Sequence, residues 1–207
     1  MWQRQPIGFD FSLIGSDGVL DQMMTLQYRG KTTAVPTIRY EALDQRGDRL
    51  ADVSVRSCYG TDRGELALTP GENTDLLYLR GDSAHLTADV AAEVVDLRPQ
   101  ARRENPVAQV AQLDDQGGEL PSGGGFHHLA VLNPWSAEAW CRVVAVALDS
   151  PQSGPQGALD VVAMTSEPIV VAARSQVPLL PEPDAYAAIS RHFGTSFVTV
   201  KAYPAAD

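Results

Sequence analysis

Residues 37–59 read TIRYEALDQRGDRLADVSVRSCY. Ile38, Tyr40 and Ala42 fall on one side of an extended chain, and Arg39 and Glu41 on the other. That period of two marks a strand with one buried face. Asp44-Gln45-Arg46-Gly47-Asp48-Arg49 is a polar break, in which Gly47 is free to take the positive φ a turn often needs. Val53 and Val55 then alternate with Asp52, Ser54 and Arg56. Strand, turn and strand in so few residues predict an antiparallel hairpin.

About ninety residues later the arrangement recurs. Residues 126–133 read as a strand, 134–139 as a turn and 140–149 as a second strand. Val143, Ala145 and Ala147 on one side and Val144, Val146 and Leu148 on the other predict a central strand covered on both faces. Working outward, strands are expected at 8–14, within 19–28, at 65–69, 75–80 and 85–97 in the first half. The second half gives 108–113, 158–164, 169–173 and 197–203. Gly15-Ser16-Asp17-Gly18, Pro70-Gly71-Glu72-Asn73 and Asp114-Asp115-Gln116-Gly117-Gly118 are turn signals, and Ser122-Gly123-Gly124-Gly125 and 150–157 read as loops. The strand at 108–113 stands before its turn as the strand at 8–14 stands before Gly15. One helix is expected at 184–193, capped by Asp184, with Tyr186, Ile189 and Phe193 on one face, His192 at its end and Gly194 as the stop.

Residues 98–106, RPQARRENP, have no apolar periodicity and two prolines, and read as a linker over 99–106. The expectation is therefore an all-β chain: a sandwich at 1–98 and a second at 107–207 carrying the short helix, each with around seven strands. The first half, with its Leu68-Thr69-Pro70-Gly71-Glu72 turn between strands, resembles bacterial immunoglobulin-like modules of the CARDB and fibronectin-like kind. That resemblance implies tandem immunoglobulin-like antiparallel sandwiches and a binding or spacer role.

The chain has 207 residues, 44% hydrophobic and 20% charged, enough for one or two packed domains. A net charge of -10 argues against nucleic acid, because phosphate contacts need clustered Lys and Arg. No signal-peptide pattern follows Arg4, since Pro6, Asp10 and Asp17 interrupt the only early apolar stretch. No run approaches the ~20 apolar residues of a spanning helix. These points give an expectation of a soluble cytoplasmic protein with no membrane partner. Cys58 and Cys141, one in each half, are expected as free thiols.

Candidate chemistry is sparse. Phe126-His127-His128-Leu129-Ala130-Val131 looks like the opening strand of glyoxalase and other vicinal-oxygen-chelate proteins, a likeness that implies a divalent metal on His127 or His128. Adjacent strand residues point to opposite faces, so both cannot bind one metal without a bulge. Glu167 and His192 are the available further ligands. Asp17 and the Asp114-Asp115 pair lack the ligand spacing of a calcium loop. Ser122-Gly123-Gly124-Gly125 lacks the Lys-Ser/Thr of a phosphate loop, and there is no G-x-S-x-G elbow. Nothing local activates Cys58 toward His85. Trp135 and Trp140 flank a solvated turn, where aromatics can anchor a partner. The reading is a binding or accessory module that contacts another protein through Trp135 and Trp140, without cofactor, and able to form a homo-oligomer. The alternative is a small-molecule enzyme of the vicinal-oxygen-chelate type, or a tailoring enzyme using a cleft between the halves.

Overall fold

The computed structural model describes residues 6–13, 22–100, 106–148 and 158–206. The turn at Gly15–Gly18 with Asp17, the centre of the expected linker and the loop at 150–157 lie outside them. The described residues are mostly β-strand with one α-helix. None of their helices is long and apolar enough to cross a membrane.

The chain divides into two compact units, with the break after Arg103. The first holds β1 (Ile7–Leu13), β2 (Gln22–Tyr28), β3 (Ala34–Leu43), β4 (Ser54–Ser57), β5 (Gly71–Arg80) and β6 (Asp89–Pro99). Four of these form an antiparallel sheet in the order β1-β2-β5-β4, and β3 pairs with β6. Alternation sets the faces as expected: Ile38, Tyr40 and Ala42 of β3 are buried, as are Met24 and Leu26 of β2 and Leu77 and Leu79 of β5.

The second unit holds β7 (Gln109–Leu113), β8 (Glu119–Leu120), β9 (His128–Asn133), β10 (Ala139–Leu148), β11 (Ala158–Ala163), β12 (Ile169–Val171), β13 (Ser175–Leu179), α1 (Pro183–Ser190) and β14 (Phe197–Pro204). One sheet runs β13-β9-β7-β8, and in the other β10 pairs with β11, β12 and β14. Leu129 and Val131 of the first sheet share a core with Val143, Ala145, Ala147, Val198 and Ala202 of the second. Val144, Val146 and Leu148 on the other face of β10 are buried too, as its doubly apolar sequence predicted.

Neither expected hairpin forms. The turn after β3 closes: Asp44 Oδ1 accepts from the N–H groups of Arg46 and Asp48, and Gly47 takes φ 82°. Leu50 N–H still reaches Ala42 O at 2.9 Å, but the chain turns again at 50–53 and β4 pairs with β5, not β3. Likewise β9 pairs with β7 and β13, and β10 with three other strands. In both places consecutive strands belong to different sheets. By sheet neighbours, β9 and β10 therefore correspond to β2 and β3, not to β3 and β4. The correspondences of β7 with β1 and of β14 with β6 agree with the sequence reading.

Other boundaries shift. No strand forms over 65–69, where Leu66 and Leu68 make isolated bridges only, that of Leu68 being with Ala34. The Pro70–Asn73 turn shrinks because β5 begins at Gly71, with Asn73 clamping Thr69 through its N–H and carbonyl. β6 begins at Asp89, after a short 3-10 turn at Ala84–Leu86, and runs to Pro99 into the expected linker. The helix begins one residue earlier and ends three residues sooner than expected. Pro183 opens it, suited by its fixed φ and missing N–H, while Asp184 sits in the first turn and Glu182 precedes it without a side-chain cap.

Two outermost strands carry the same local device. On β6, Asp89 Oδ1 accepts the N–H of Val90 at 2.7 Å, and on β11 Asp160 Oδ1 accepts that of Val161 at 2.9 Å.

Candidate functional site

Asn133 ends β9 and is completely buried. Its Nδ2 donates to Ala137 O at 2.8 Å, Val171 O at 3.0 Å and Ala172 O at 3.1 Å, and its Oδ1 accepts from Trp135 N–H at 3.1 Å. One amide thus ties the β9–β10 turn to the turn after β12. Arg174, at φ 51°, adds a backbone bond from its N–H to Trp135 O at 2.9 Å. Trp135 is nevertheless 54% exposed, and its Nε1 donates to Val107 O at 3.0 Å. An exposed indole with so many fixed contacts presents apolar area with little ordering left to do on binding.

Trp140 has a different setting. It is a strand residue of β10, opposite Val170 and partly buried, and its carbonyl accepts from Ala205 N–H at 3.0 Å. Alternation sends it to the face opposite the buried Ala139 and Cys141. Of the two tryptophans, only Trp135 stands on the turn.

His127 and His128 are both exposed. His127 N–H donates to Leu113 O at 2.8 Å, and His128 opens β9 opposite Leu113. His192 lies 3.5 Å from Asp160. Among the described residues no group of three His, Cys, Asp or Glu side chains is placed to hold a metal ion. The hexapeptide instead buries Phe126, whose ring meets Phe193 at 5.2 Å and Tyr186 at 6.1 Å between centroids. The glycine run before it serves those rings. A Cβ on Gly125 would lie 2.8 Å from Phe193, and one on Gly123 would lie 2.2 Å from Phe197, whereas one on Gly124 would meet nothing within 4 Å. This loop is thus shaped at two of its three glycines by packing. The two cysteines are buried free thiols, one in each unit, and burial pushes Cys141 up to about 12.

One polar centre escaped the sequence reading. Asp75 lies on the inner side of β5, in phase with Leu77 and Leu79, and is wholly buried. Its carboxylate accepts from Ser57 Oγ at 2.5 Å, Thr61 Oγ1, Tyr59 N–H at 3.1 Å and Leu76 N–H at 2.8 Å. Ser57 Oγ accepts in turn from the N–H groups of Gly60 and Thr61. Since Thr61 donates to Asp75, Tyr40 donates to Thr61, at 2.7 Å. Burial pushes the Asp75 carboxyl above its ordinary range, against the four donors that pull it down. Burial, then the Asp75 charge, raises Tyr40 and Cys58 as well. With its donors supplied by neighbouring backbone and hydroxyls, this centre fastens the 57–61 loop. An acidic residue in phase with leucines was the signal available for it.

No family model, curated protein or solved structure matches the chain.

Proposed function

We propose that the chain is a tandem pair of immunoglobulin-like sandwiches serving as a binding or accessory module for another protein, with Trp135 as its anchor. The strand neighbours support the fold reading. In that class the first, second, fifth and fourth strands share one sheet and the third, sixth and seventh the other; the described residues of the first unit supply the first six. β1-β2-β5-β4 and β3-β6 follow this order, and β7-β9-β13 facing β10-β14 repeats its centre.

The observation that carries the functional reading is the exposed indole of Trp135 on a turn locked by buried Asn133. Buried aromatic anchors contribute about 2 kcal/mol or more to interfaces. The reading needs neither metal nor cofactor. Its test is affinity capture from extract of the source cells with wild type and Trp135→Ala, identified by mass spectrometry and paired with melting temperatures. The expected result is an unchanged melting temperature and loss of a specific captured protein. Unchanged capture, or a large fall in melting temperature, would overturn it.

A further inference from the structure

The second unit holds a cleft of about 360 Å³, lined by residues 123–125 on one side and 194–197 on the other. Small-molecule sites start at about 300 Å³. Both walls are tied down. Gly123 N–H donates to Val198 O at 3.1 Å, and Val198 N–H returns the bond to Gly123 O at 3.2 Å. The N–H groups of Thr195 and Ser196 both end on His192 O. Walls fixed in this way leave little ordering to be done on binding.

Gly124 is the glycine of its loop that packing does not require. Its neighbours lie against the Phe197 and Phe193 rings, whereas Gly124 has no left-handed φ and would carry a Cβ into open space. It lines the cleft, so the room left by its missing side chain is room for something else.

The chemistry of the walls selects the ligand. Among the described residues, the N–H groups of Gly124, Gly125 and Gly194 and the Ser196 hydroxyl have no hydrogen-bond partner. These donors call for oxygen acceptors. Thr195 Oγ1 donates to His192 O at 3.1 Å and keeps its lone pairs, so one acceptor stands among them. Gly124 O already accepts from Gln112 Nε2 at 3.4 Å. Phe197 supplies an aromatic surface. No charged side chain lines the cleft, and His192, just before its wall, faces Asp160 at 3.5 Å. A carboxylate or an ammonium on the ligand would therefore find no free counter-charge there. A ring bearing several hydroxyls and an apolar C–H face satisfies the donors, the acceptor and the aromatic wall without any charge. We infer that this cleft is a binding site for one ring of a neutral saccharide. The cleft is open on one side, so millimolar affinity for a single sugar is expected, well short of an enclosed pocket. The inference is independent of Trp135.

The test is titration of the ¹⁵N-labelled full chain with glucose, galactose, mannose and N-acetylglucosamine, followed by amide chemical shifts. Glucuronate and glucosamine serve as the anionic and cationic counterparts. At least one neutral sugar is expected to shift the amides of Gly124, Gly125 and Gly194 saturably, and both charged sugars to shift them less. Gly124→Val narrows the cleft and is expected to abolish the shifts at an unchanged melting temperature. Ser196→Ala removes one free hydroxyl and is expected to weaken binding about fivefold, the usual worth of one hydrogen bond. It keeps the test decisive even where Gly124→Val disturbs folding. No saturable shift with any neutral sugar, shifts centred away from these residues, tighter binding of either charged sugar, or Ser196→Ala binding as wild type does would each overturn the inference.

Discussion

Asn133 and Trp135 are opposites in exposure and partners in structure: the side chain of the buried residue accepts the backbone N–H of the exposed one at 3.1 Å. The same amide donates to three carbonyls on two turns. The display of the indole therefore depends on a residue that is itself wholly buried.

Replacing Asn133 by Ala strands those carbonyls and is expected to cost about 2–3 kcal/mol, in line with unsatisfied buried groups. Asn133→Asp is expected to cost more, because it turns a carboxylate oxygen toward carbonyl oxygens where an NH2 donated. Urea denaturation of both variants checks the order; a negligible loss in Asn133→Ala would show that the donated bonds contribute little.

The glycine loop offers a contrast within three residues. Gly125→Ala forces a methyl against the Phe193 ring, and Gly123→Ala meets Phe197 from a backbone at φ 105°. Each is expected to lose about 1–3 kcal/mol, the range of overpacked sites. Gly124→Ala has open space and is expected to change the melting temperature little. A uniform response across the three would argue against ring packing as the constraint.

Asp75 makes a prediction about pH. Its carboxyl is raised in the folded state, so the unfolded chain gives up that proton more readily. The stability linked to it is full below the ordinary carboxylate pKa of about 3.9 and is lost as pH rises through the higher folded value. Exposed Asp44, held below its usual range by the Asp48 and Arg46 N–H groups, acts in the opposite sense at lower pH. The diagnostic is thus the difference between wild type and Asp75→Asn. Subtracting the variant's stability curve from the wild type's is expected to leave a decline with rising pH, and a flat difference would remove the titration from Asp75.

Tyr40→Phe removes one donor from Thr61 while keeping the ring. A loss of about 1 kcal/mol is expected, the usual worth of such a bond. Thermal unfolding measures it; no change would mean that Thr61 is satisfied without Tyr40.

Alternation in the sequence revealed which residues face inward, because side-chain period follows from strand geometry alone. Ile38, Tyr40 and Ala42 were legible in this way, and so was the double burial of β10. Pairing was not legible. Asp44-Gln45-Arg46-Gly47 and Asp114-Asp115-Gln116-Gly117 fold the same way, each with an Asp Oδ1 accepting two N–H groups and a Gly near φ 82–83°. Yet one turn follows β3, whose partner is β6, and the other leads from β7 to its partner β8. A turn fixes the local reversal, and the side-chain faces beyond it decide which sheet the chain enters. Exposure was equally hidden for Trp135 and Trp140, since an indole's accessibility depends on neighbours distant in sequence. Asp75 could have been found by extending the phase of Leu77 and Leu79 back two residues.

The aspartates at 89 and 160 bear on how this protein behaves when crowded. An outermost strand grows into a fibril when a foreign strand docks along its free N–H and C=O groups. At Val90 and Val161 the amide hydrogen is already held by the preceding carboxylate, and that carboxylate repels the equivalent strand of a like molecule. A strand docking along either edge would first have to break these contacts at Val90 or Val161.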